Sequence, residues 1–483
     1  MPARLAVVPD PGELTGCDSL VFVGRAERLL EDDVLRLVPP PVGEATWRQM
    51  VRKTDAGDGG RASTTWTSGT PARVSAGVLP EPCSRHNAPS RAGAIPGLLA
   101  TTAQKGNVGI VLCLDAPEHA AAAALGVARG LPTFSTGASP VERDARMVFL
   151  PPDGSEIALE PIRAAMDAVR QAAHWTDTPP DVFGCDRFVA VAEEVARVTG
   201  ATMTVVRGDD LLDRGLAGLH GVGRAAAQAP ALVVLDHAPG TATRTVGWVG
   251  KGIVFDTGGL AIKAKTSMPG MKTDMAGAAA VLAAFQAAVR TGMRDRLVVA
   301  LAIAENALGP RALRPDDILT LYSGKTVEVN NPDAEGRLVL ADALCWVAKH
   351  YAPDVLVDLA TLTGAQSIAT GKRHAALYCS EDVLEREAVE AGRYSGDLVH
   401  PLPFAPELFR REFSSPVADM RNSVKDRNNA QPSCAAQFIH NHLVAAGYAG
   451  PWLHVDMAAP AVHSNGRGTG FGVGLLLALV GLV

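Results

Sequence analysis

From residue 186 to residue 359 the chain alternates short apolar runs with helix-like stretches, and this alternation limits its fold more than any other feature. Strands are expected near 203–206, 231–236, 245–250, 297–304 and 355–359, and helices up to about 198, over 274–291 and over 336–350. Strands separated by helices predict a mainly parallel sheet covered on both faces. In such sheets ligand groups gather at the carboxyl ends of strands, where two short charged clusters of this chain fall.

The first 150 residues show a similar alternation, with a strand-like run at 107–114 followed by a helix-like stretch at 117–129. The polar, Gly/Ser/Thr-rich segment 54–69 reads as a mobile loop. Helical spacing over 160–173 runs into Pro179-Pro180, which marks the connection between domains. The expected fold class is therefore α/β in two domains, each a mainly parallel or mixed sheet covered by helices: 1–158, a linker at 159–181, and a larger C-terminal domain at 182–483. The apolar tail, 470–483, is too short to span a bilayer and reads as a buried terminal helix at a possible subunit contact.

The first charged cluster holds Lys251, Asp256 and Lys263 around a Thr-Gly-Gly turn, followed by Met271 and Asp274; the second reads Asn330-Asn331-Pro332-Asp333-Ala334-Glu335-Gly336-Arg337-Leu338. Four carboxylates brought together would repel one another without cations, so their convergence calls for bound metal or raised pKa values. Taken singly, most of these residues have a plainer reading. Asp333 and Glu335 can favour a helix dipole, Asp274 can cap the helix after it, and lone lysines are usually solvated. Asp256 is harder to explain that way, because it ends an apolar strand and enters a backbone permissive enough for close approach to a ligand. A neutral lysine can ligate a metal and a protonated one can polarise a carbonyl, while Arg337 can clamp a small anion. Cys83 beside His86 reads as a loop rather than a nucleophile pair.

Composition narrows the partners. A net charge of −6 and a pI near 6.1 give no electrostatic reason for nucleic acid or an anionic membrane. Seven scattered cysteines without a C-x-x-C pair suggest neither a disulfide framework nor a thiolate zinc site, and they fit a reducing, cytoplasmic setting. The N-terminus meets Pro and acidic residues before a signal-peptide core could form.

The stretches 249–263, 331–338 and 358–365 resemble the signatures of the leucyl aminopeptidase (cytosol aminopeptidase) family. Arg73-Val-Ser-Ala, Cys83-Ser-Arg-His-Asn, the Asn-Pro-Asp variant and His454-Val-Asp-Met-Ala-Ala-Pro460 bring the chain nearest to the aminopeptidase-like 1 branch of that family. The resemblance implies a dinuclear metal-dependent aminopeptidase acting on short peptides with a free N-terminus. It makes Lys251, Asp256 and Asp274 ligands of one ion, and Asp333 and Glu335 ligands of the other, with Asp256 and Glu335 bridging. Lys263 and Arg337 match catalytic positions, the arginine holding a bicarbonate that relays a proton. Met271, Thr361 and Gly364 match positions near the first side-chain pocket, and the Leu362 carbonyl would receive the substrate amine. The implied metals are Mn2+ or Zn2+, with Co2+ or Mg2+ as further candidates, and the implied assembly is a homohexamer built as a dimer of trimers. Two departures, Pro332 and Ala276, remove no ligand but bear on pocket shape. A narrow dipeptidase, for example for Cys-Gly, and a non-catalytic role including DNA binding are the alternatives.

Overall fold

The computed structural model describes residues 3–103, 105–136 and 143–483. The first sheet has the strand order Ala3–Val7, Arg143–Leu150, Val108–Cys113, Ser19–Gly24, Arg73–Val78, Arg61–Trp66, and all neighbours are parallel except the last pair. The second has the order Val399–Pro401, Ala375–Cys379, Trp452–Asp456, Val355–Ala360, Thr245–Asp256, Arg296–Asn306, Ala231–His237, Thr202–Arg207. Its four central strands, from Trp452–Asp456 to Arg296–Asn306, are mutually parallel, whereas the flanks add antiparallel pairings. Both sheets belong to the α/β class, and the second is mixed. A small third sheet joins Ile318–Thr320, Thr326–Glu328 and Met420–Arg421.

Alternate residues of the central strands feed different cores, as a two-residue period requires. Trp248, Val299, Leu301 and Leu359 pack with the Ala276–Arg290 helix, while Val249, Val298, Ala300 and Leu356 pack with the Gly336–Tyr351 helix. The alanine-rich helix lies unusually close to the sheet. A Cβ on Gly250 would sit 2.4 Å from Ala278 Cα, and one on Gly277 would sit 2.1 Å from the Leu359 carbonyl oxygen. Glycine on both surfaces thus lets backbone rest on backbone, which fixes the start of this helix beside Lys251.

The structure corrects some of these expectations and agrees with others. Within the supposed mobile loop 54–69, Arg61–Trp66 forms an edge strand antiparallel to Arg73–Val78. Its Ser-Thr-Thr run is polar because an edge strand is largely exposed, and β-branched threonine suits it. The central strand expected to end at 250 continues to Asp256, since it pairs on both sides as far as Gly250 and on the Arg296–Asn306 side through Gly252 to Asp256. The linker helix continues to Asp177, just ahead of the two prolines. The tail forms the helix Val473–Leu479, and its side chains from Val473 to Leu477 are buried in this chain's own core. No helix among the described residues is long and apolar enough to cross a membrane. Cys83 rests against the Ala88 carbonyl at 3.5 Å, while the His86 ring packs edge-on to His400, so no hydrogen bond joins the two.

A buried ion pair anchors the tail. Asp397 is fully buried and accepts Nη2 of Arg129 at 2.5 Å together with the Gly472 and Leu475 amides at 3.1 Å, while Arg129 Nε donates to the Thr469 carbonyl at 3.2 Å. Arg129→Met keeps most of the apolar stem but strands the carboxylate, so it should cost about 3 kcal/mol. Chemical denaturation should register that loss, with protease nicking near the tail as a second readout. Native stability in the variant would show that the pair is dispensable.

Candidate metal centre

Three parallel strands deliver the site from their carboxyl ends. Asp256 closes Thr245–Asp256, Asn306 closes its neighbour, and Thr361 follows Val355–Ala360. Beyond Asp256 the chain reverses through Gly258 and Gly259, whose φ values of 84° and 58° lie in the left-handed region. A Cβ on Gly258 would come within 2.9 Å of Asp333 Oδ1, so glycine serves both the turn and the approach of the second cluster.

Two lysines stitch the clusters together. Lys251 Nζ lies 2.8 Å from Asp274 Oδ1, 2.9 Å from Glu335 Oε1 and 2.8 Å from the Thr361 carbonyl. Lys263 Nζ lies 2.7 Å from Asp256 Oδ2 and 2.6 Å from Asp333 Oδ1. Thr361 Oγ1 donates to Asp274 Oδ1 at 2.7 Å. Oxygens of Asp256, Asp333 and Glu335 all lie within 4.8 Å of one another.

Helix capping does not account for these carboxylates. Met275, not Asp274, precedes the Ala276–Arg290 helix as its cap residue, and no side chain caps that end. Glu335 precedes the Gly336–Tyr351 helix without making a capping bond; its carboxylate turns to Lys251.

The charges are unbalanced, with four carboxyl groups facing two ammonium groups in a largely buried space. Burial pushes Asp274 up to about 8, with repulsion from Glu335 and Asp256 adding to the rise. Burial likewise raises Glu335 and Asp333. Burial opposes the charge on Lys251 and Lys263, but the surrounding carboxylates outweigh it and both are held above the ordinary lysine value. Asp274 Oδ2 and Glu335 Oε2 are buried without any hydrogen-bond partner. Orphaned oxygens and excess negative charge are what hard divalent cations satisfy, so the residues present fit such ions.

Of the remaining expected residues, Arg337 and Leu362 lie beside this centre, and Met271 and Gly364 are placed by the segments that carry them. Arg337 is buried, its Nη1 donates to the Asn422 carbonyl at 2.9 Å, and its Nε has no partner. Burial lowers Arg337 to about 10, which leaves it charged at neutral pH. Met271 opens the short turn that leads to Asp274, and Leu362 packs beside Gly336, where a Cβ would meet the Leu362 Cδ1 at 2.8 Å and Lys251 Nζ at 2.9 Å. Gly364 is exposed. Pro332 joins the support of the site through its carbonyl, which accepts Asn306 Nδ2 at 3.2 Å.

Two supporting residues lie outside the set expected from the sequence. Asn306 Nδ2 donates to Asp256 Oδ1 at 2.8 Å. A polar residue ending an apolar strand is the signal that singles out Asp256, and it marks Asn306 equally. Asn422 accepts the Asn330 amide at 2.9 Å and donates to the Asn331 carbonyl at 2.8 Å, clamping the second cluster. Its loop carries no comparable mark.

The chain is similar to known proteins over most of its length. Residues 170–477 match the cytosol aminopeptidase family catalytic domain, and residues 20–139 match the M17 aminopeptidase N-terminal domain 2. The chain is 49% identical over 414 residues to the human protein named probable aminopeptidase NPEPL1, covering 84% of this chain and 79% of that one. A leucyl aminopeptidase from Trypanosoma brucei, solved with bestatin, superposes with a TM-score of 0.91 at 34% identity, covering 99% of this chain and 96% of that chain. The bottromycin maturation enzyme BotP, solved with Mn, superposes with a TM-score of 0.79 at 30% identity, covering 96% and 98%.

Asn306→Ala removes a donor from Asp256 and from no other carboxylate of the centre. Loss of such an outer support should weaken metal retention about 10- to 100-fold. Equilibrium dialysis against limiting Mn2+, with circular dichroism to confirm folding, measures this; unchanged retention would remove Asn306 from the site.

Proposed function

This chain belongs to the cytosol aminopeptidase family, and from that premise we propose how its paired acidic clusters remove N-terminal residues from short peptides. It is a metal-dependent aminopeptidase of the hydrolase class. The observation that carries the detailed reading is the convergence of four carboxyl groups and two lysines at the ends of adjacent parallel strands.

Lys251, Asp256 and Asp274 would hold one divalent cation, and Asp333 and Glu335 the other, with Asp256 and Glu335 shared. Mn2+ is the first candidate because BotP binds it, with Zn2+, Co2+ or Mg2+ as substitutes. When bound, the ions supply Lewis acidity and an activated water. The chain's own residues do the rest. The Leu362 carbonyl receives the free α-amine, and Met271, Thr361 and Gly364 border the first side chain. Lys263, protonated among carboxylates, supports the oxygen of the scissile carbonyl as it gains charge. The partnerless Nε of Arg337 offers a donor that would hold a small anion, bicarbonate in this reading, whose chemistry would be that of a proton relay. The name of the family favours a cytosolic setting, and a homohexamer is the assembly we propose. Residues 1–158, 159–181 and 182–483 are the corresponding domain limits.

The two lysines should separate cleanly in experiment. Lys251→Ala should lower metal content, whereas Lys263→Ala should keep both ions and lose about 100-fold in kcat. Metal analysis beside single-turnover hydrolysis of a leucine anilide tests both, and equal metal loss in the two variants would overturn the assignment.

pH supplies an independent check. Lys251 must shed its proton to ligate, and its value is raised; Asp274, near 8, must shed one as well. Both effects have the same sign, so metal affinity should climb from about pH 6 to about pH 9, with protons released on binding. Calorimetry in buffers of different ionisation enthalpy measures that release. A flat affinity over this range would contradict the ligand set.

A further inference from the structure

We infer that Asp456 is a positioning residue that aims the Leu362 carbonyl at the substrate's α-amine; this rests on the reading of Leu362 just given. Asp456 ends the strand Trp452–Asp456, pairs in register with Ala360, and is 1% exposed. Its two oxygens serve four donors. Oδ1 accepts the Leu362 amide at 3.1 Å and the Ala458 amide at 3.2 Å, and Oδ2 accepts the Thr363 amide at 3.1 Å and Thr363 Oγ1 at 2.7 Å. Among the acidic and amide side chains, only a carboxylate offers that many acceptor sites without presenting a donor of its own.

Peptide planarity turns these bonds into aim. In a trans peptide the N–H and the preceding C=O point in opposite directions. Fastening the Leu362 N–H to Asp456 therefore sends the Thr361 carbonyl the other way, and it meets Lys251 Nζ at 2.8 Å. Fastening the Thr363 N–H does the same to the Leu362 carbonyl, which is turned away from Asp456.

The hydrogen bonds of the turn single that carbonyl out. The Ala360 carbonyl accepts the Met457 amide at 2.8 Å, Thr361 accepts Lys251, Thr363 accepts the Gln366 amide at 3.3 Å, and Gly364 accepts Ser367 Oγ at 2.9 Å. Among the described residues, the carbonyl of Leu362, a half-buried residue, alone in this run accepts nothing. A carboxylate on the far side of its peptide polarises the group and makes the oxygen a better acceptor, which suits an amine or ammonium donor.

The test compares leucine hydroxamate with the same hydroxamate lacking its α-amine, as inhibitors of the metal-loaded native enzyme and of Asp456→Asn. The substitution keeps the side-chain volume but sets an NH2 donor against backbone N–H groups, so it disturbs the hydrogen bonding rather than the shape. The native enzyme should prefer the amine-bearing inhibitor by about tenfold or more, as expected for a hydrogen bond to a charged group. In D456N that preference should fall towards unity, and KM for a leucine anilide should rise several-fold while metal content and kcat stay near native. Thr363→Val, which deletes one donor to Asp456 and leaves the carboxylate in place, should move the preference part of the way and carries the test if D456N does not fold. If the native enzyme shows no preference, the Leu362 reading itself fails. If the native preference survives undiminished in the folded variants, or both inhibitors weaken equally, Asp456 is structural and the positioning role is overturned.

Discussion

The close seating of the alanine-rich helix on the central sheet is the contact on which the rest of the site depends. Gly250 and Gly277 remove the side chains that would hold the two apart, and the helix start then falls against the strand that carries Lys251. Asp274 reaches the lysine only because of that approach. A methyl group at either glycine would collide with backbone, which has nowhere to retreat in a close-packed interior.

Such seating brings like charges together at a cost that folding alone does not reward. Buried carboxylates in excess over buried ammonium groups are destabilising, and the raised values of Asp274, Glu335 and Asp333 express that strain. The two lysines relieve part of it by bridging carboxylates from different segments. Residual negative charge with two orphaned oxygens is useful only to a cation, so the same feature that weakens the fold prepares the centre for metal.

Most of this is legible in the sequence where periodicity or a strand end signals it. The central strands and the two helices flanking the centre stand near their expected positions, because apolar runs of that length have few other uses. The Arg61–Trp66 strand escapes such a reading because an exposed edge leaves no apolar alternation, and the central strand reads as stopping at Gly250 because glycine looks like an ending until the long neighbour Arg296–Asn306, which pairs with it as far as Asp256, is known. The ligand candidates can be named from two clusters, but their pairing cannot. Which lysine meets which carboxylate depends on the helix approach and on the Gly258-Gly259 turn, both tertiary facts.

The supports are harder to read than the ligands, and the reason lies in sheet register. Asn306 stands opposite Asp256, and Asp456 stands opposite Ala360, one residue before the turn it fastens. Asn422 likewise follows the strand Met420–Arg421, which pairs with Thr326–Glu328 just ahead of the second cluster. In each case the polar side chain ends or directly follows the neighbouring strand and lies about 50 to 100 residues away in sequence, a distance only pairing can close. A rigid sheet therefore does more than present catalytic groups at its carboxyl edge. Each strand end also holds the loop of its neighbour, so the precision of the site is set by register rather than by the loops themselves.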